Sequence, residues 1–141
     1  MVRAYIDGGA RGNPGPAGFG VRVEAADGTV LAELHGGIGI ATNNVAEYNG
    51  LLAALEWAVD HGERRVHIRA DSELLVKQMR GEYKVRNPGL QPLHARARLL
   101  MMQLDEVVFE HVRREFNKEA DRLSNLGMDE AEKGQGLRAQ G

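Results

Sequence analysis

The sequence predicts an α/β fold built on a mixed five-stranded sheet, three antiparallel strands followed by two parallel ones, with helices on both faces. Three observations carry this expectation. Apolar residues alternate with period two in three consecutive early segments. The spacing then changes to a helical one at Tyr48, Leu51, Leu52, Leu55, Ala58 and Val59. A later alternating segment, Val66, Ile68 and Ala70, follows that helix, and a right-handed crossover would set it parallel to the first strand.

The elements follow in order. Val2, Ala4 and Ile6 alternate with Arg3, Tyr5 and Asp7, giving a first strand that ends on an acid. Phe19, Val21, Val23 and Ala25 form a second, and Ala26-Asp27-Gly28 is a hairpin signal because Asp-Gly tolerates positive φ. A third strand runs from Thr29 to about Ile38. The first long helix spans about Asn44 to His61 and stops at Gly62. The fourth strand ends on Asp71, and a short helix runs from Ser72 to Arg80. After a turn-rich connector, Leu90 to Leu104 reads as a helix, Val107 to His111 as the last strand, and Asn117 to Gly127 as the final helix. Residues 1–127 therefore read as one domain, and the polar, glycine-bearing 128–141 as a flexible tail.

Composition narrows the function classes. The 141 residues include no cysteine, which removes disulfides, thiolate metal sites and cysteine nucleophiles. No apolar run approaches the ~20 residues of a membrane span, and the N-terminus lacks an apolar signal core, so a cytoplasmic protein is expected. A net charge of −2 excludes a basic coat, so any polyanion must meet local patches. Nothing in the pattern demands an oligomer, and a monomer is expected.

Four acids stand out. Asp7 and Asp71 end the two strands predicted to be parallel neighbours, so they emerge side by side at one sheet edge. Glu47 flanks the apolar stripe one turn into the long helix, and Asp121 lies near the start of the final helix. Each has a plainer reading. A strand-end Asp starts a turn. Glu47 stands three residues after Asn44, close to capping-box spacing. Asp71 competes with Ser72 to cap the short helix, and Asp121 could pair with Arg122 or Arg114. Their joint placement, two strand ends and two helix starts aimed at one crevice, favours a shared role. Clustered carboxylates repel one another, and hard divalent cations such as Mg²⁺, which take oxygen ligands and retain waters, relieve that repulsion. The chemistry expected is metal-assisted phosphodiester hydrolysis by two cations.

"DGGARGNPGPAGFG", "TNNVAEYNGLLAAL", "ADSELLVKQM" and "NKEADRLSN" resemble, in order and spacing, the four signature segments of type 1 ribonuclease H, across Tyr5 to about Asn125. The resemblance implies a ribonuclease H-like fold, with residues 1–127 as the catalytic domain. It also implies an endonuclease that hydrolyses the RNA strand of RNA/DNA hybrids without sequence specificity, leaving 5′-phosphate and 3′-hydroxyl ends. It maps the catalytic, metal-holding acids onto Asp7, Glu47, Asp71 and Asp121. It maps nucleic-acid contacts onto Gly8, Gly12, Asn13, Asn43, Asn44, Ser72 and Glu73, although glutamine is familiar where Glu73 stands. The cofactor implied is Mg²⁺, with Mn²⁺ as a substitute and two ions when substrate is bound; the partner is a hybrid duplex, with other RNA-containing duplexes as alternatives. A side-chain-poor loop suits backbone approach to a minor groove lined with 2′-hydroxyls.

Two features of the family are missing. The segment Arg113-Arg114-Glu115-Phe116 has no histidine where many bacterial relatives carry one, and the connector "RGEYKVRNPG" is too short for a basic protrusion. The chain thus resembles the compact branch of the family. Arg80, Lys84, Arg86, Arg96 and Arg98 could track a DNA strand, or be solvated surface charges. Trp57 reads as core rather than as a stacking platform. A resolvase or a domain freed from a reverse transcriptase is a rival on the same fold; a non-catalytic binding module would be expected to lack one of the acids.

Overall fold

The computed structural model describes the backbone of residues 1–140 and the side chains of residues 1–134. The strands are β1 (Val2–Ala10), β2 (Gly15–Glu24), β3 (Val30–Ala41), β4 (Arg65–Ala70) and β5 (Glu106–His111). The helices are α1 (Asn43–Asp60), α2 (Glu73–Met79), α3 (Gln91–Met101) and α4 (Lys118–Gln140), with a 3-10 turn at Arg114–Phe116. The spatial order is β3-β2-β1-β4-β5, with β1·β2 and β2·β3 antiparallel and β1·β4 and β4·β5 parallel. This is the predicted mixed sheet, and the predicted parallel neighbours are adjacent.

The helices occupy both faces. Towards one, α1 packs on β1 and β2, and α3 packs on α1. Their interface holds the core, with Ile6, Val21, Tyr48, Leu51, Leu55, Ile68 and Leu75 fully buried. The buried Tyr48 hydroxyl donates to Gln78 Oε1 at 2.6 Å, so neither polar group is left unpaired. Trp57 packs against this core, as expected, and its ring stacks on His61. Towards the opposite face, α4 lies across β1, β2 and β3.

Several boundaries differ from expectation. β1 does not end at Asp7: pairing with β2 carries it to Ala10, and Asp7 lies opposite Gly20. β3 reaches Ala41 because it pairs with β2 along nearly its whole length. The cap of α1 is Thr42, whose hydroxyl accepts from Val45 N, so the capping box with Asn44 does not form and Glu47 is free for another role. Ser72, not Asp71, caps α2 through the amide of Leu75. The last helix passes Gly127 without a break, because Met128 and Ala131 continue its apolar face and are 8% and 6% exposed. The flexibility expected of 128–141 falls in part on the side chains of 135–140 and on Gly141, outside the described residues.

The start of α1 presses on β1 at Gly8. A Cβ there would stand 2.3 Å from the carbonyl carbon of Ala46 and 2.4 Å from the amide of Glu47. No side chain fits without moving a helix, so Gly8→Ala is expected to cost about 2–3 kcal/mol through overpacking. A urea midpoint unchanged from the parent protein would refute this.

Candidate active site

The parallel register places the acids. Val2 to Ile6 pair with Val66 to Ala70, so Asp7 and Asp71 are the next residues on two adjacent strands. α1 starts against Gly8 and carries Glu47 over the same spot. From the other face α4 adds Asp121. All four acids border one crevice of about 250 Å³, together with Gly8, Asn43 and Arg114.

Asp7, Glu47 and Asp71 each have a neighbouring side chain beside the carboxylate. The Asn117 side-chain amide donates to Asp71 Oδ2 at 3.1 Å and to the Ile6 carbonyl at 2.9 Å, tying Asp71 to the β1 backbone. The Ser124 hydroxyl lies 3.0 Å from Asp7 Oδ2 and 2.8 Å from the Asp121 carbonyl oxygen. It has one proton and can serve only one acceptor at a time. Ser72 adjoins Glu47 and favours its ionised form.

The electrostatics follow from this crowding. Burial, then the charge of Asp71 and more weakly that of Asp121, push Asp7 up to about 7 against the hydrogen bonds from Ser124 and Gly8. Burial, and after it Asp71, likewise push Glu47 up to about 7, while Ser72 and the guanidinium of Arg114 pull the other way. Near neutrality the crevice therefore holds more negative charge than it can stabilise alone.

This donor set suits a hard divalent cation: it is all oxygen, half-buried and short of counter-charge. Among the described residues no group of three or more Asp, Glu or His side chains is drawn together closely enough to hold a metal ion. Four carboxylates around an open crevice suit ions that keep waters and share ligands with a bound phosphate.

The loop residues divide. Asn43 Oδ1 accepts from Ala10 N at 2.7 Å, and Asn13 Oδ1 accepts from Asn43 N at 3.1 Å, so the two asparagines staple the β1–β2 loop to the start of α1. Gly12 adopts φ +92°, which a side chain would strain. Gly8 lines the crevice, but only its backbone can meet a ligand there. Asn44 is half-buried and not part of the crevice wall. Ser72 reaches Glu47, whereas Glu73 turns away to pair with Lys77 at 2.8 Å. Of the expected cation track, Arg96 is paired to Glu56 at 2.6 Å and Arg80 donates to the Phe109 carbonyl. Lys84 and Arg98 face one shallow cleft with Tyr83 and Gln91.

Sequence reasoning missed Asn117 and Ser124 as partners of the acids. With Asp121 and Met128 they recur at i, i+4, i+7 and i+11, one stripe along α4 that faces the sheet, so helical spacing could have found them. The hold on the glycine-rich loop was also missed: Arg11 pairs with Asp129 at 2.7 Å and with Glu132 at 3.1 Å, fastening the loop to α4.

Comparison with known proteins agrees with this architecture. A family model described as "Reverse transcriptase-like" matches residues 5–127. The chain is 51% identical over 126 residues to the bifunctional protein Rv2228c of Mycobacterium tuberculosis, covering 89% of this chain and 35% of that protein. It is 45% identical over 130 residues to ribonuclease HI of Halobacterium salinarum, covering 92% of this chain and 65% of that protein. The chain thus spans about a third to two thirds of the length of these relatives. Among solved structures, LC11-RNase H1 in complex with an RNA/DNA hybrid superposes with a TM-score of 0.88 at 44% identity, covering 93% of this chain and 99% of that one.

Proposed function

The chain belongs to the type 1 ribonuclease H family, and from that premise we propose that it is an endonuclease cutting the RNA strand of RNA/DNA hybrids with 5′-phosphate and 3′-hydroxyl products. The observation that carries this reading is the convergence of Asp7, Glu47, Asp71 and Asp121 from four different elements on one crevice. A relative solved with an RNA/DNA hybrid bound supports the substrate class.

In this reading the four carboxylates would hold two Mg²⁺ ions, or Mn²⁺ in their place, when substrate is bound, and hard cations held there would supply a water of lowered pKa and charge neutralisation at the leaving oxygen. The chain's own residues do the rest. Asn117 holds Asp71 aimed at the crevice, and Ser72 stands beside Glu47. Arg114 offers a positive charge at the crevice wall for a phosphate oxygen. The Asn13–Asn43 staple fixes the loop whose backbone approaches the minor groove. Such contacts read sugars and groove shape rather than base sequence, and they select a strand with successive 2′-hydroxyls.

A substrate panel tests the proposal: hybrid, RNA duplex, DNA duplex and a single embedded ribonucleotide, each with Mg²⁺, Mn²⁺ or EDTA. Metal-dependent cleavage of the hybrid's RNA strand is the expected result. Binding without any metal-dependent product would overturn it in favour of a non-catalytic module. Since Arg80 and Arg96 are engaged within the protein, a shallow salt dependence is expected. Hybrid affinity against salt, on logarithmic axes, should have a slope of about −3 or less steep. A slope near −6, measured by anisotropy titration, would show a phosphate track that these residues cannot supply.

A further inference from the structure

The 3-10 turn at Arg114–Phe116 has two sides. Arg114 faces the acid crevice, and Phe116 faces a separate cleft of about 450 Å³ that it lines with Tyr5, Arg69, His111 and Arg113. Phe116 is 63% exposed, so it contributes little to the core. Its ring lies 5.7 Å from the Arg113 guanidinium. Tyr5 forms the other aromatic wall, and its hydroxyl accepts from Arg69 at 2.8 Å. The acid in this cleft, Glu110, stands 3.0 Å from the Arg69 guanidinium, which offsets its charge. Arg113 is 76% exposed, and its one ion-pair partner among the described residues is Glu115 at 3.5 Å.

Two aromatic faces beside arginines match a nucleotide, a flat ring carrying an anion. Any base can stack on an aromatic ring, and a guanidinium can meet its phosphate. The cleft's position adds a constraint. Tyr5 and Asp7 stand two residues apart on the same face of β1, so the cleft begins roughly 7 Å from the acids, within reach of one unstacked nucleotide.

We propose that this cleft receives an unpaired base of the RNA strand where that strand continues past the end of the duplex, with the base on Phe116 and its phosphate on Arg113. The inference rests on the hybrid-cleaving reading above and extends it: hybrids with a single-stranded RNA tail become preferred substrates over blunt ones.

The test uses the full chain carrying Asp7→Asn, so that binding is measured without cleavage. Three hybrids are compared: blunt, with a 5′ RNA tail, and with a 3′ RNA tail, each tail about four nucleotides. One tail is expected to tighten binding by about tenfold, the effect of one stacked base. Adding Phe116→Ala should remove that gain and leave blunt-hybrid affinity unchanged, and Phe116→Tyr should restore it. Equal affinity for all three hybrids, or an equal loss on blunt and tailed hybrids with Phe116→Ala, would overturn the proposal. Phe116-dependent competition by free AMP, without a tail effect, would assign the cleft to free nucleotides and overturn the strand-end claim. Cleavage of the blunt hybrid by the unmutated chain separates the two readings. If that cleavage is present while the tails have no effect, the cleft proposal alone fails.

Discussion

Asp7→Asn is expected to abolish hybrid cleavage, by at least about 10³-fold or ~4 kcal/mol of barrier, and at the same time to stabilise the metal-free protein at neutral and higher pH. The first effect follows if Asp7 holds cations. The second follows from its environment. Burial first, and the neighbouring Asp71 second, raise the Asp7 pKa from 3.8 to about 7. For an acid with a raised folded pKa, the folded state holds its proton longer than the unfolded chain does. The ionisation penalty is absent below about pH 4, grows as pH rises to about 7, and stays constant above that. Its ceiling is about 4 kcal/mol, and Asn, itself a polar group in a half-buried place, recovers only part of it. A gain of about 2 kcal/mol, or roughly 5 °C or more in Tm, is expected at about pH 8, with little gain at about pH 4. Thermal melts of both proteins in EDTA at the two pH values check this. A variant less stable than the parent at both would show that Asp7 contributes a structural bond rather than stored repulsion. The same shifts imply that cations displace protons from Asp7 and Glu47, so Mg²⁺ affinity should fall as pH drops through about 7. Calorimetry in buffers of different ionisation enthalpy would register the released protons.

Ending the chain after Gly127 is expected to cost about 3–5 kcal/mol of stability and to weaken hybrid binding severalfold. The sequence places this cut at the boundary between a domain and a flexible tail. The structure buries Met128 and Ala131 beneath α4. Met128 alone accounts for about 2–3 kcal/mol, and losing the end of an uninterrupted helix adds to it. The ion pairs of Arg11 with Asp129 and Glu132 are exposed and add little to stability, yet they fix the glycine-rich loop. Their loss should therefore appear in KM more than in kcat. Arg11→Ala in the full chain separates the effects, because it frees the loop without uncovering Met128. A truncated chain with parent Tm and parent KM would return residues 128–141 to the status of a tail.

The sheet was legible because alternation in β1, β2 and β4 is strong and the parallel pair required a crossover. The acids were legible because Asp7 and Asp71 occupy matching positions on neighbouring strands, and Glu47 flanks an apolar stripe. The limits of elements were less so. Thr42 and Asn44 both suit a helix cap, and only packing of α1 against Gly8 decides for Thr42. Met128 and Ala131 lie among Glu, Asp, Lys and Gly, so a helix burying one narrow face there looks like a polar tail. Asn117 and Ser124 were overlooked because Asn and Ser are common in turns, and only the facing strand makes them partners of the acids.

The route from Asp7 to Asp121 through the chain has a consequence for biosynthesis. Asp7 and Asp71 meet only when β4 docks beside β1, and Asp121 arrives on the last helix, which leaves the ribosome after every strand. An unfinished chain can assemble the β1–β3 meander early, but the crevice cannot exist until α4 folds back across it. Long-range closure of this kind is the slow part of folding. Assembly of the four acids would then mark completion of this fold, and a nascent chain stalled before α4 emerges would carry three of the acids and no closed crevice.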